Sequence, residues 1–194
     1  METAPVYYGD VKEVYMGLFD KLFGKGKKKD GYSFIADIAK LIAPESGVSE
    51  KLSGAFAEPY EYFIKVEWQL DARGLVIGMV ENKKLFWISL VDELAAKGCV
   101  FEVDYKCELE DFLDALKRIN SYDTIKTAVE GIQFDENEDA EKWGAQINSA
   151  LGDTAAVCCF DIDSDSYPLV ILSGEILPQV QKLAEDNGHK IVRF

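Results

Sequence analysis

A single histidine, His189, supplies all the imidazole in 194 residues, and the four cysteines, Cys99, Cys107, Cys158 and Cys159, contain no C-x-x-C pair. That leaves out the common spacings of zinc sites and dithiol redox centres. Serine lacks a nucleophile elbow, since Ser173 sits in SGE and not in G-x-S-x-G, and GKGKKKDG has neither a preceding strand pattern nor the G-K-[ST] ending of a P-loop. Positive charge is scarce too, with 21 Lys and Arg against 35 Asp and Glu. A net charge of −14 argues against nucleic acid as a partner, because phosphate contacts need clustered Lys and Arg. No apolar run reaches the length of a membrane-spanning helix, and the first residues carry no signal-type apolar stretch with a small-residue cleavage site. The adjacent thiols in AAVCCF read as small buried hydrophobes. We therefore expect a reducing cytoplasm.

What is present is an ordinary globular composition, 48% hydrophobic and 29% charged. A chain of this size hides roughly 70% of its unfolded surface on folding, enough for a core without disulfides or metal. We expect one α+β domain over residues 32–194, preceded by a leader, a short amphipathic helix and a basic linker over residues 1–31. METAPVYYGDVKEVY shows no sustained periodicity. Lys12, Glu13 and Val14 can be encoded by AAG GAG GTN, which contains a ribosome-binding element, so Met16 is the expected translation start. Leu18, Phe19, Leu22 and Phe23 then fall on one helical face, followed by Lys25, Lys27, Lys28 and Lys29. An apolar face beside a cationic cluster predicts weak peripheral contact with an anionic membrane. Myristoylation is not expected, because Lys21 stands where Ser or Thr is required.

Further along, Asp30 can cap a helix carrying Tyr32, Ile35, Ile38, Ala39 and Ile42, with Pro44 past its end. Pro59 suits a helix start, and Tyr60, Phe63, Ile64 and Trp68 share a helical face up to Gly74. Tyr62, Ile64, Val66, Trp68 and Leu70 also alternate, which keeps a strand reading open. Leu85, Ile88, Val91, Leu94 and Ala95 mark a helix stopped by Gly98. In CVFEVDYK, Cys99, Phe101, Val103 and Tyr105 point inward and Glu102 and Asp104 the other way. ELEDFLDALKRI places acids first and Lys117 and Arg118 last, as a helix dipole favours. The acidic run Asp135–Glu141 leads into a helix with Trp143 and Ile147. AAVCCFDI and YPLVIL form a hairpin across Asp163, Ser164, Asp165 and Ser166; a helix over Glu175–Asp186 and a strand in HKIVRF follow. This order predicts a ferredoxin-like split βαβ sheet, with extra helices before it and between its first two strands. Trp68, Trp87 and Trp143 read as core or rim aromatics, and His189 as a hydrogen-bonded structural residue.

Three segments, WISLVDELAAKGCVFEVDYKCELEDFLDALKRI, FDIDSDSYPLVIL and the closing helix and strand, together resemble domain of unknown function 6630, a family of uncharacterised bacterial proteins. The resemblance covers roughly residues 59–194. It departs from the expected pattern at Tyr105, where Trp is the commoner residue, and it favours helix for the Trp68 segment. It implies no activity.

Asp161, Asp163 and Asp165 hold the first three ligand positions of an EF-hand loop, but Ser166 replaces the glycine and Leu172 the bidentate glutamate. They remain the metal candidates. No catalytic residue and no cofactor is predicted. The leading expectation is a non-catalytic, acidic protein-binding module that uses Glu102, Asp104, Asp161 and Asp163 to bind a basic protein. The alternatives are a metal-dependent enzyme using Asp161, Asp163 and Asp165 with Asp104, and a peripheral membrane adaptor acting through Leu18, Phe19, Leu22, Phe23 and the lysines up to Lys29.

Overall fold

The computed structural model describes residues 31–194, so the expected leader, the Met16 start and the membrane-contact residues from Leu18 to Lys29 lie outside the described residues. Five helices come first: α1 (Ser33–Ile42), α2 (Val48–Ala55), α3 (Pro59–Lys65), α4 (Glu67–Ala72) and α5 (Asn82–Ala96). Strand β1 (Val100–Asp104) leads to α6 (Leu109–Arg118), a 3-10 turn at Tyr122–Thr124, α7 (Lys126–Glu130) and α8 (Ala140–Leu151). The hairpin β2 (Ala155–Phe160) and β3 (Ser166–Ser173), helix α9 (Leu177–Glu185) and β4 (Ile191–Arg193) complete the order. The fold class is α+β with one four-stranded antiparallel sheet.

The sheet runs β1-β3-β2-β4. A ferredoxin-like sheet would set β4 beside β1, whereas here β4 pairs with β2, through Cys158↔Arg193 and Phe160↔Ile191. The cause is the face chosen by the second crossover. From β1 to β2 the chain passes over one face with α6–α8. Strand β3 runs opposite to β1, so a right-handed crossover from β3 on that same face would return to the β1 edge. Helix α9 packs on the other face, against α1, and carries β4 outward past β2.

Strand alternation divides the core in two. Val100, Ala156, Cys158, Phe160, Val170 and Leu172 face the layer of α1–α5 and α9, whereas Val103, Ala155, Val157, Cys159, Leu169 and Ile171 face α6–α8. Both faces being covered, β2 reads as an unbroken apolar run and is buried throughout. The two adjacent thiols thus lie on opposite sides of the sheet. Helix α5 is buried at every position from Leu85 to Val91, because it lies between the sheet and the outer helices.

The Trp68 segment is helical, but Val66 (φ −110°, ψ 14°) breaks it into α3 and α4. Trp68 lies on the outer side with Ile64, itself 40% exposed, and is 72% exposed, whereas Tyr62, Phe63, Trp87 and Trp143 are buried. Asp139 caps α8 by accepting the Lys142 N–H at 3.0 Å. In that helix Gly144 is required by contact, since a Cβ there would come within 2.5 Å of the Phe194 ring. Asn148, also in α8, continues the ladder within β2 where its pairing with β4 runs out: it accepts from the Val157 N–H (2.7 Å) and donates to the carbonyls of Val157 and Phe194 (2.9 Å each).

Candidate functional site

The register of β1 on β3 sets Asp104 opposite Ser166 and Glu102 opposite Pro168. Beyond that pair the Tyr105 N–H donates to the Asp165 carbonyl at 3.1 Å. Asp104 and the turn of residues 161–165 therefore share one end of the sheet. The turn closes through Asp163, in the left-handed region at φ 55°, whose N–H bonds the Asp161 carboxylate at 3.2 Å. Trp87 ties the turn to α5 by donating Nε1–H to the Asp161 carbonyl at 2.8 Å.

The acids at this end fall into two groups. Glu102, on the face that carries α1–α5, is held by a fork from Arg73: Nη1 to Oε1 at 3.1 Å and Nη2 to Oε2 at 2.7 Å. Arg73 also reaches Asp92 through Nε (3.1 Å) and Nη2 (2.6 Å), and the Ser166 hydroxyl donates to Glu102. Such bidentate, charge-assisted bonds are the strong kind. Burial raises the Glu102 pKa, but the bonds from Arg73 and Ser166 outweigh it and hold the carboxyl below its ordinary value. At Asp92 burial wins over Arg73, and the pKa stays above the ordinary one. Asp163 bonds Lys84 Nζ at 2.7 Å, which lowers its pKa. Asp104, Asp161 and Asp165 form the second group: among the described residues no cationic side chain pairs with them. The Asp104 carboxylate accepts the Lys106 backbone N–H, at 2.8 Å.

Beside the turn, between the first half of α8 and β4, opens a cleft of about 470 Å³. Its lining includes Cys159, Tyr167, Val192 and Phe194, with Glu141 and Asp161 at the rim. The Tyr167 hydroxyl donates to Glu141 at 2.8 Å. Burial first, then Glu141, pushes the Tyr167 pKa up to about 12.

The reactive residue types are held in quiet states. Burial pushes Cys158 and Cys159 up to about 12, and it raises Cys99 and Cys107 as well, so the thiols are protonated near neutral pH. His189 stacks between Trp87 (4.5 Å, 13°) and Phe34 (5.7 Å, 20°). Burial, then Lys83, lowers its pKa. Its Nε2 has no hydrogen-bond partner among the described residues, so ring stacking holds this histidine where a hydrogen bond was expected. Among the described residues no group of three or more His, Cys, Asp or Glu side chains has metal-binding geometry, which leaves Asp161, Asp163 and Asp165 spread along the turn. No described helix is long and apolar enough to cross a membrane.

Sequence reasoning missed Arg73, Ser166 and the cleft. One signal was available for Arg73. The chain has three arginines, and each is engaged: Arg73 by carboxylates, Arg118 over the Phe101 ring, and Arg193 by the carbonyls of Asn148 and Gly152. An arginine in so lysine-biased a chain marks a fork-shaped contact.

A family model described as "Domain of unknown function (DUF6630)" matches residues 34–194, a span that takes in α1 and α2 as well as the part recognised in the sequence. Neither a curated protein nor a solved structure matches the chain.

Proposed function

Because the chain belongs to the DUF6630 family, whose description names no activity, we propose from its own geometry that it is a non-catalytic protein-binding module for a basic partner. The observation that carries this reading is the β1–β3 register, which gathers Asp104, Asp161 and Asp165 at one end of the sheet with no cationic side chain paired to them among the described residues, while Glu102, Asp92 and Asp163 nearby are all paired. Unpaired carboxylates on a rigid sheet end give a directed negative field, which raises the encounter rate of a basic protein. The working acids are then Asp104, Asp161 and Asp165, with Asp163 beside them. Glu102 acts behind them by fixing β1 to α5 through Arg73. Protonated thiols and a stacked histidine support a binding role over a catalytic one. Four free thiols support a reducing, cytoplasmic setting.

The test is capture from host lysate by the wild type and by the triple variant Asp104→Asn/Asp161→Asn/Asp165→Asn, followed by association kinetics on the captured protein at several salt concentrations. A basic partner should associate more slowly with the variant, and with a flatter salt dependence, while dissociation changes little. Identical capture by both proteins at every salt concentration would dismiss the acidic end as the working surface.

A further inference from the structure

The geometry points to the cleft between α8 and β4 as an anchor slot for the same partner: it takes an aliphatic or aromatic side chain flanked in its peptide by Lys or Arg. This rests on the binding reading above and deepens it.

The slot exists because the α6–α8 layer ends before the sheet does. Val192 and Cys159 are register partners, side by side on one face, yet Cys159 is 6% exposed and Val192 42%. Cover by α8 stops between them. The far wall is rigid, for the Phe194 ring lies against Gly144 and meets the Tyr167 ring edge-on at 5.5 Å. Tyr167 is pinned in turn by Glu141. A preformed, mostly apolar slot of this volume suits one large side chain with room to spare.

Charge selects what surrounds that side chain. Of the two cations at the rim, Lys142 is neutralised by Glu138, and Arg193 keeps its charge but turns its guanidinium onto the carbonyls of Asn148 and Gly152. Asp161 and Glu141 remain as the negative groups facing an incoming ligand, and the exposed Asp165 extends the acidic rim toward Asp104. The occupant complementary to this slot is therefore cationic beside its apolar anchor.

Strand addition to β4 is a poorer mode for the same ligand. Asp161 N–H to Lys190 O and Phe194 N–H to Val157 O show that the even positions of β4 bond inward, so Ile191 and Arg193 face the free edge. Gln181 covers that edge by donating to the Ile191 carbonyl at 3.0 Å. A three-residue edge so capped offers little ladder, and recognition falls to side chains.

The experiment titrates ¹⁵N-labelled full-length protein with an octapeptide bearing a Phe-Leu pair between Lys-Lys ends, and with its counterpart bearing two alanines there. The Phe-Leu peptide should shift the amides of Ala145, Cys159 and Val192 and bind roughly tenfold more tightly than the alanine peptide. Ala145→Trp, which fills the slot from an exposed helix position, should abolish that difference and leave the weaker, salt-sensitive binding of both peptides intact. Equal affinities for the two peptides in the wild type, or unchanged discrimination in Ala145→Trp, would overturn the slot. If both peptides still bind in a salt-dependent way, the acidic surface survives that result. If neither binds, the slot fails and the surface with it. A circular-dichroism melt of Ala145→Trp confirms that the comparison is made on folded protein.

Discussion

The two faces of the sheet are closed by different means. On one, α1–α5 and α9 build a thick aromatic layer in which Phe86 touches the rings of Tyr32, Phe56, Tyr62 and Phe63 at 4.7–5.9 Å. Charges that enter this layer are paired: Arg73 with Asp92 and Glu102, and Glu93 with Lys51 at 2.5 Å and with the Tyr62 hydroxyl at 3.2 Å. On the other face α6–α8 form a thinner layer whose closure at the β4 side depends on one amide, Asn148, and one missing side chain, at Gly144. The thick face spends its polar groups on stability. The thin one leaves a slot and unpaired acids at its rim.

The largest expected effect tests the thick layer. Phe86→Ala should cost about 3–5 kcal/mol, since Tyr62 and Phe63 on α3, with Phe56 and Tyr32 just outside α2 and α1, cannot all collapse into the space. Urea unfolding measures it, and a loss under about 1 kcal/mol would show the layer to be far looser than its packing implies. Asn148→Leu comes next. It strands the Val157 N–H, removes one of two donors to the Val157 carbonyl and the amide donor to the Phe194 oxygen, and should cost about 1–3 kcal/mol by the same measurement. A near-neutral result would mean that the thin layer does not rely on this amide.

Arg73→Met is expected to cost about 2 kcal/mol, less than a fully buried pair would, because the partners are partly open to solvent. Its pH dependence has a defined sign. Glu102 titrates below its ordinary value of 4.5, so its contribution is complete above that pH and is lost as pH falls through the lower folded value. Asp92 titrates above its ordinary 3.8, so its charging opposes stability and that opposition fades in acid. Glu102→Gln should therefore flatten the decline of Tm as pH falls below the ordinary value of 4.5. An unchanged slope would remove Glu102 from the acid response. The smallest effect is Trp68→Ala, within about 0.5 kcal/mol of wild type, because the ring stands in solvent. A larger loss would show that the Trp68 ring, and not Leu70 alone, ties α4 to the thick layer.

Much of this was legible in the residues. Period-3.6 patterns located α1 and α5, the order of charges located α6, the acidic run before Trp143 and Ile147 located α8, and the polar run at Asp163–Ser166 located the hairpin, because these are local signals. Which edge β4 joins was not, since a three-residue strand encodes no partner and the answer depends on the face α9 takes. Trp68 was misplaced because the segment carries more apolar residues than its inner side holds: Tyr62, Phe63 and Leu70 are buried, while Ile64 and Trp68 point outward. Glu102 read as a surface acid because its partner Arg73 is 29 residues upstream, beyond any local pattern. Asp104, Asp161 and Asp165 were identifiable as acids, and their common location required the β1–β3 register.

The adjacent thiols of β2 turn the two layers into separately timed compartments. Cys158 opens only when the aromatic side gives way, and Cys159 only when the α8 side does, so the alkylation rate of each sulfur is a stopwatch for its own half of the protein. A ligand seated over Val192 would slow the second stopwatch and leave the first running at its former rate.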